Sequence, residues 1–580
     1  MANRAPGVYR NEVNAVTSIN SRVDNVVAIV GTAKTGPIEP TFVYSAQQRE
    51  QVFGPVLDSD YGLFAVDKIL ENTNAVLFCR VVNKGGKALF KDTNTTIFEA
   101  KEGGIHLDNA IVNLVVEDEL ITVTLTVDEV ALETIVVSSN KNSNEYIHNV
   151  FNSYSQYLNI VADQSVVFAS RSLTTTKGSE GAKESIGTSV SLSAKTKHFD
   201  SLFGGAVLKV MVDTTGGISA SLSKNGKVVE SVPALSGGET AEEFKIRFNK
   251  VSQYVEITDY PEVTSCSVTL VAGNDGIANI KASDYVGNSN MGIKALDDTD
   301  TVEISTLIVP GKFDPQIVSA CQAVVNTRQD CLYIADPPLG LRAYATKDWV
   351  DGTGAYASGV RLDSDYACVF SPWVASVDHS NNVVYIPPSI AMACLLVFND
   401  ATKNVWDAPS GVRNGVLSGV VGLEYVPTKA DKEILYTNSV INPIAYVKDV
   451  GYCVWGNKTA RRAKYPLNPE PACSLNVRRL VNHIKKKTSA VALELLFANN
   501  DSFTWDEFKL NLDPILRAIK DNRGLYDYDI IIDETTVTQE MIDALRMPAI
   551  IRLRPTRAAE VIELSFELNG SDVSITDNGQ

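Results

Sequence analysis

The stretch VVAIVGTAKTGPIEP, residues 26–40, decides the fold because it can be read in two incompatible ways. Apolar, mostly β-branched residues from Val26 to Val30 run into Gly31, and Gly36 follows at the spacing of a strand and glycine loop that cradles nucleotide phosphates. Such a loop next requires a lysine to reach the outer phosphates and a hydroxyl to hold magnesium. Pro37 and Ile38 stand there instead, and proline has no N–H to offer an anion. The stretch therefore predicts a buried strand that leaves a sheet through a Gly-Pro turn.

Outward from this strand, residues 1–24 read as a polar, extended arm, followed after the strand by the apolar TFVYS and the helix-like QQREQVFG. YGLFAVDKILEN spaces Leu63, Ala65, Val66, Ile69 and Leu70 close to helical period, and AVLFCRVV reads as a buried strand. The opening is thus β–α–β. From about 300 the α/β pattern resumes: TVEISTLIVPG and CLYIADPP as buried strands, FDPQIVSACQAVVNTR as the crossover helix between them, and VVYIPPSIAMACLLVF as strand, turn and helix. The last hundred or so residues predict two helices, SLNVRRLVNHIKKKTSAVALELLF and DSFTWDEFKLNLDPILRAIKDNRG, then strand YDIIID, a short helix near TQEMIDALR and two final strands. Pro514 predicts a kink in the second helix and Gly524 its stop.

Between about 92 and 290 the sequence turns to short alternating strands rich in Ser, Thr, Asn and Gly, and it repeats itself. ITVTLTVDEVALETI from Ile121 resembles ISASLSKNGKVVESV from Ile218, and FNSYSQYLNI from Phe151 resembles FNKVSQYVEI from Phe248. Both pairs are offset by 97 positions (218 less 121, 248 less 151) without a gap. Each copy reads as strand, turn, strand, amphipathic helix and strand, the helix faces being Tyr146, Val150, Tyr154 and Phe244, Phe248, Val251. Two tandem domains of one kind are expected.

Composition excludes several functions. With 580 residues, 44% apolar and 21% charged, the chain has room for three or four ordinary globular domains. No run of eighteen apolar residues and no signal-like N-terminus are present, so synthesis and folding in the cytoplasm are expected. Cys79, Cys266, Cys321, Cys331, Cys368, Cys394, Cys453 and Cys473 form no C-x-x-C pair and read as reduced core residues, while the five histidines are scattered, which predicts no metal site and no cofactor. Asp378 beside His379 reads as a turn, since no G-x-S-x-G elbow accompanies it and no catalytic residue can be singled out. A net charge of −17 argues against general affinity for nucleic acid.

Two features stand out. Lys458, Arg461, Arg462, Lys464, Arg478, Arg479, Lys485, Lys486 and Lys487 are concentrated in an acidic chain, with Glu470 the sole acid among them. In the helix, Val477, Leu480, Val481 and Ile484 would face a core, leaving Arg478, Arg479, Asn482, His483, Lys485 and Lys486 on the other side for an acidic protein partner. Nucleic acid is the competing partner, but the stripe lacks aromatic residues to stack bases. The second feature is the chain ends. Ile562, Leu564, Phe566 and Leu568 alternate with Glu563, Ser565 and Glu567, and GVYRNEVN, with Val8, Tyr9, Glu12 and Val13, is also extended. Such a strand must bury its apolar face, either at the edge of its own domain or by strand addition between subunits.

In order along the chain, PGVY, AIVGTAKTGP, Phe53-Gly54, GNDG at 273–276, SDYVG at 283–287, VPG at 309–311 and ADPP at 335–338 resemble the tail sheath proteins of contractile bacteriophages and contractile injection systems. SPWV, PPS, VWDAPSG, VWGNKTA, LNVRRLVNHI and RPTRAAEVIEL continue that resemblance over residues 1–90 and 270–570, although Asn457 and Lys458 replace an expected Ala-Arg-like pair. The resemblance implies a non-enzymatic α/β (α+β) multidomain protein: an α/β sheath core built from N- and C-terminal parts, with two tandem β-rich insertion domains directed outward. On that reading the divisions are an arm at 1–24, core at 25–91, insertions at 92–184 and 185–272, a central α/β domain at 273–470, a tube-facing C-terminal domain at 471–559 and a terminal arm at 560–580. It further implies hexameric rings of the chain stacked around a tail tube protein, which Arg478, Arg479, Asn482, His483, Lys485 and Lys486 of the basic helix would contact, with baseplate and tail terminator proteins as further partners. Membrane and direct nucleic-acid contact are not implied. The setting would be a virion's contractile tail assembled in the host cytoplasm, or a phage-like injection particle or bacteriocin, and the arms would keep neighbours linked through contraction.

Overall fold

The structure, a computed structural model, describes residues 25–560 except 58–59, 84–86, 93–94, 104–109, 128–129, 142, 144, 156–157, 162–169, 177–185, 190, 199–201, 215, 236–238, 270–275, 278–279, 300–301, 379–380 and 463–469. The strand read at the outset, Val27–Thr32, is buried along its whole length. It lies in an eight-stranded sheet of order Thr41–Val43, Val76–Val81, Val27–Thr32, Thr306–Ile308, Leu332–Ala335, Ala367–Ser371, Ile441–Val447, Gly451–Val454. The outermost pairing on each side is antiparallel and all pairings between them are parallel. A parallel sheet needs cover on both faces, which explains the unbroken apolar runs. Val27 and Ile29 join one core with Leu63, Ile69, Ile390 and Met392, while Ala28 and Val30 join another with Ile317, Cys321, Val325 and Trp349. Gly62–Leu70 and Pro388–Thr402 therefore cover one face, and Pro315–Arg328 and Ala343–Asp351 the other.

The glycine loop has the opposite polarity to a phosphate cradle. Its carbonyls point inward, and the fully buried Arg80 donates through Nε to the Ala33 oxygen at 2.9 Å and through Nη1 to that of Gly36 at 2.7 Å. Gly36 has φ of 103°, and a Cβ there would meet the Phe53 ring at 2.5 Å, so a turn that needs glycine twice over surrounds a cation supplied by the adjacent strand.

The β-rich segment hangs between these strands. Its first unit is a seven-stranded sheet of order Val130–Ser138, Leu120–Val127, Ala110–Glu117, Arg171–Thr176, Lys87–Asp92, Thr95–Gly103, Leu158–Ile160. The second has the same order split in two: Lys227–Val232, Ile218–Lys224, Val207–Val212, Cys266–Thr269, and Ile186–Thr188, Ser193–Thr196, Val255–Asp259. The 97-position offset recurs in hydrogen bonds. Ile160 N–H donates to Asn152 Oδ1 and Ile257 N–H to Asn249 Oδ1, each at 2.7 Å. Ser155 Oγ donates to Glu133 at 2.6 Å and Ser252 Oγ to Glu230 at 2.7 Å, and each hydroxyl accepts from the strand that follows, from Leu158 and Val255 respectively. The helix faces match expectation in part: Tyr146, Phe244 and Phe248 are buried and Val150 packs on the first core, whereas Tyr154 and Val251 are exposed and Ile147 and Phe151 complete the first buried face. The entry and exit of the segment meet, the Asn83 N–H donating to the Gly276 carbonyl at 2.7 Å and its side-chain amide to Asp284 at 3.1 Å.

The C-terminal unit packs helices Leu475–Glu494 and Ser502–Asp521 against the hairpin Leu525–Ile531 and Ile550–Pro555. Pro514 lies inside the second helix, which continues through it to Asp521. The left-handed residue at its end is Arg523, with φ of 64°, while Gly524 donates back to the Ile519 carbonyl at 2.8 Å.

Candidate functional site

The basic helix was expected to show its cations to a partner; the structure turns most of them inward. Arg478, Arg479 and Asn482 are buried, as are Val477, Leu480 and Ile484, because both flanks of the helix pack on the chain itself. Arg478 pairs with Asp365, and its guanidinium lies 4.3 Å from the Tyr366 ring centroid. Arg479 grips both oxygens of Asp400 and donates to the Val405 carbonyl at 3.1 Å. Burial pushes the Asp400 carboxyl up even with that guanidinium beside it. Asn482 donates to the Cys331 carbonyl at 3.3 Å, and the His483 ring lies 6.2 Å from that of Trp406. Lys485 reaches the Tyr366 hydroxyl at 2.9 Å, and Lys486 the Ile304 carbonyl at 2.6 Å and Ser305 Oγ at 2.9 Å. Burial pulls the Lys486 ammonium down. The expected open basic face at Arg478, Arg479 and Asn482 is thereby corrected: these side chains bind the C-terminal unit to the central unit, with Asp365 and the Cys331 carbonyl beside sheet strands, and Asp400 and the Val405 carbonyl at the end of helix Pro388–Thr402, as partners. Of the other cations in the group, Arg462 pairs with Asp351 and Arg461 lies 3.8 Å from Glu470, while Lys464 is outside the described residues.

The terminal-arm residues Val8, Tyr9, Glu12, Val13, Ile562, Leu564, Phe566 and Leu568 also lie outside the described residues. Their candidate receptor does not. Among the described residues each strand of the hairpin Leu525–Ile531 and Ile550–Pro555 pairs with the other alone, leaving one backbone edge of each open. Open edges of this kind accept an added strand through main-chain hydrogen bonds.

A buried carboxylate occupies the end of strand Leu332–Ala335. Asp336 accepts from the Gly311 N–H at 3.0 Å and from the N–H and hydroxyl of Ser389 at 2.8 and 2.5 Å, at the start of helix Pro388–Thr402. Burial pushes it up to about 6 against the pull of these donors. It ties two strand-end loops to a helix start, which is a strut. Among the described residues no group of three or more His, Cys, Asp and Glu side chains could hold a metal, and no helix is long and apolar enough to cross a membrane. All eight cysteines are free thiols and six are buried.

No protein-family model matches the chain. Over 327 residues it is 27% identical to the tail sheath protein of Vibrio phage KVP40, covering 53% of this chain and 47% of that one. The chain is similar to tail sheath proteins. The tail sheath protein of Enterobacteria phage T4 is 26% identical over 336 residues, covering 54% and 49%. The chain thus spans about half the length of the curated relatives it matches. In fold it is similar to a crystal structure of a sheath tail protein from Listeria innocua, with a TM-score of 0.52 and 10% identity over 92% of this chain and 95% of that one. The fold is mixed α/β with several sheets, as in that sheath tail protein.

Proposed function

We propose that this chain is the structural, non-enzymatic subunit of a contractile tail sheath, whose copies stack as hexameric rings around a tail tube and shorten to drive the tube through a host cell envelope. The observation that carries this reading is the alignment of more than half the chain with two phage tail sheath proteins. The energy for shortening would be stored in a metastable lattice that relaxes through bistable contacts between copies. Its partners on this reading are its own copies, a tail tube protein, the baseplate and a tail terminator, in a virion assembled in the host cytoplasm. The arms at 1–24 and 560–580 would knit copies together by adding strands, and the open edges of the C-terminal hairpin support that role. We also infer that the two β-rich units arose by duplication, on the strength of hydrogen bonds repeated at one offset. Because Arg478, Arg479 and Asn482 are occupied within the chain, the tube contact falls to other residues.

Negative-stain microscopy of the purified full-length protein over a range of concentration and salt tests the reading. Hollow tubes of uniform width are expected; monomers under every condition would overturn it.

A further inference from the structure

Helix Leu475–Glu494 crosses beneath the central sheet along the direction of the strand order. Arg478 meets Asp365 ahead of strand Ala367–Ser371, Asn482 meets Cys331 ahead of Leu332–Ala335, and Lys486 meets Ile304 ahead of Thr306–Ile308, which are neighbouring strands taken in turn. The helix therefore starts on the flank of strands Ile441–Val447 and Gly451–Val454 and, with 20 residues spanning about 30 Å, ends on the flank of Val27–Thr32.

Its far end is apolar at the surface. Leu493, Leu496, Phe497 and Phe503 are exposed around the turn into the next helix, and Leu545 is exposed in the turn after the short helix Gln539–Asp543. Asn500 joins the two turns, its amide donating to the Arg546 carbonyl at 2.9 Å. Phe497 and Leu545 have φ of 70° and 57° and are 76% and 92% exposed. Such a backbone favours glycine and is costly for a bulky side chain, and neither residue gains burial in return. Residues 493–510 and 539–546 hold six acids, Glu494, Asp501, Asp506, Glu507, Glu540 and Asp543, against Lys509 and Arg546, so the apolar tip is rimmed with negative charge.

The opposite flank has the complementary character. Val416 bridges to Cys453 on the outer side of edge strand Gly451–Val454 and is exposed, as are Val412 and Phe398. Their segments are tied together by the Asn399 amide, which donates to the Asn414 carbonyl at 2.8 Å, and by the Lys403 ammonium, 3.0 Å from the Arg413 carbonyl. Arg413 is exposed beside them; of the nearby acids, Asp400 is held by Arg479 and Asp407 is half-buried.

We propose that these surfaces are the two halves of one head-to-tail contact between copies of this chain, the acidic apolar tip around Phe497 and Leu545 docking on the basic apolar flank around Val412 and Arg413 of the next copy. This deepens, and rests on, the self-assembly reading above. Opposite charges orient the approach, and burial of the apolar tip offsets the strain at 497 and 545. Because the halves differ and lie on opposite flanks, repetition of the contact closes a ring or runs on as a helix instead of ending at a dimer.

The test measures the concentration at which the full-length protein forms tubes, for the wild type, a tip variant (Phe497→Ser with Leu545→Ser), a flank variant (Val412→Ser with Arg413→Glu) and the two combined. All should melt with the wild type, since the altered side chains are exposed. Tip and flank variants should each need about tenfold more protein, and the combination no more than either, as two sides of a single contact must. Assembly of either variant at wild-type concentration, or a combined effect near a hundredfold, overturns the proposal and leaves the sheath reading standing. So does a tip variant that forms tubes normally but no longer co-assembles with a tail tube protein, which assigns the tip to that partner. Absence of tubes from the wild type overturns both. Should Val412→Ser lower the melting temperature, Arg413→Glu alone serves as the flank variant.

Discussion

Asp336 shows how a single buried group converts solution pH into stability. Its folded-state carboxyl sits at about 6, above the 3.8 of a free side chain. A raised carboxyl stabilises the fold fully below the unfolded value, and that contribution is lost as pH rises through the folded one. Between pH 4 and 7 the wild type should therefore lose on the order of 3 kcal/mol relative to Asp336→Asn, which cannot titrate. At pH 4 the asparagine variant should be the weaker by about 1–3 kcal/mol, because its amide turns a donor toward the donors of Gly311 and Ser389. Urea unfolding of the two proteins at several pH values checks both. Legibility at this scale was uneven. Pro37 ruled out a phosphate loop, yet nothing in the stretch 26–40 revealed that Arg80, beyond a strand and two helices, would fill the loop with its guanidinium.

The helix Leu475–Glu494 carries the main correction at the scale of elements. Its apolar period was readable, and Leu480 and Ile484 do enter the core. The polar flank was not, because Asp365 and Asp400 lie far away in sequence, and only the folded central unit, with Asp365 before a sheet strand and Asp400 on helix Pro388–Thr402, sets them opposite Arg478 and Arg479. Arg479→Ala should cost about 3–5 kcal/mol by stranding a buried carboxylate. Replacing both partners, Arg479→Met with Asp400→Leu, should restore most of that loss, as measured by urea denaturation. A large charge reversal along this helix would consequently report on folding before it reported on any partner. The repeat was more legible, since the recurrent FNxxSQY segment sets a helix end, its Asn and its Ser in one hydrogen-bonded corner. On the first unit's helix Tyr146 and Val150 reach the core as expected, but the fully buried pair is Ile147 and Phe151, one position on, and Tyr154 is exposed.

For the whole molecule, the decisive arrangement is a sheet assembled from two distant parts of the chain, with everything from Lys87 to Thr269 inserted between them. Both β-rich units have their own apolar cores. Their removal should leave the eight-stranded sheet intact, because the strands on either side, Val76–Val81 and Thr306–Ile308, both pair directly with Val27–Thr32, which lies between them. A chain in which a short Gly/Ser linker replaces residues 87–272 should be soluble, retain a cooperative thermal transition and still form tubes under the microscope.

The hydrogen bond from Asn83 to Gly276 puts the two stumps of the removable piece within contact of one another. A guest protein whose own termini lie side by side could be spliced there without prising the scaffold apart, and each ring of a polymer would then carry its cargo on a stem at a repeating, countable position.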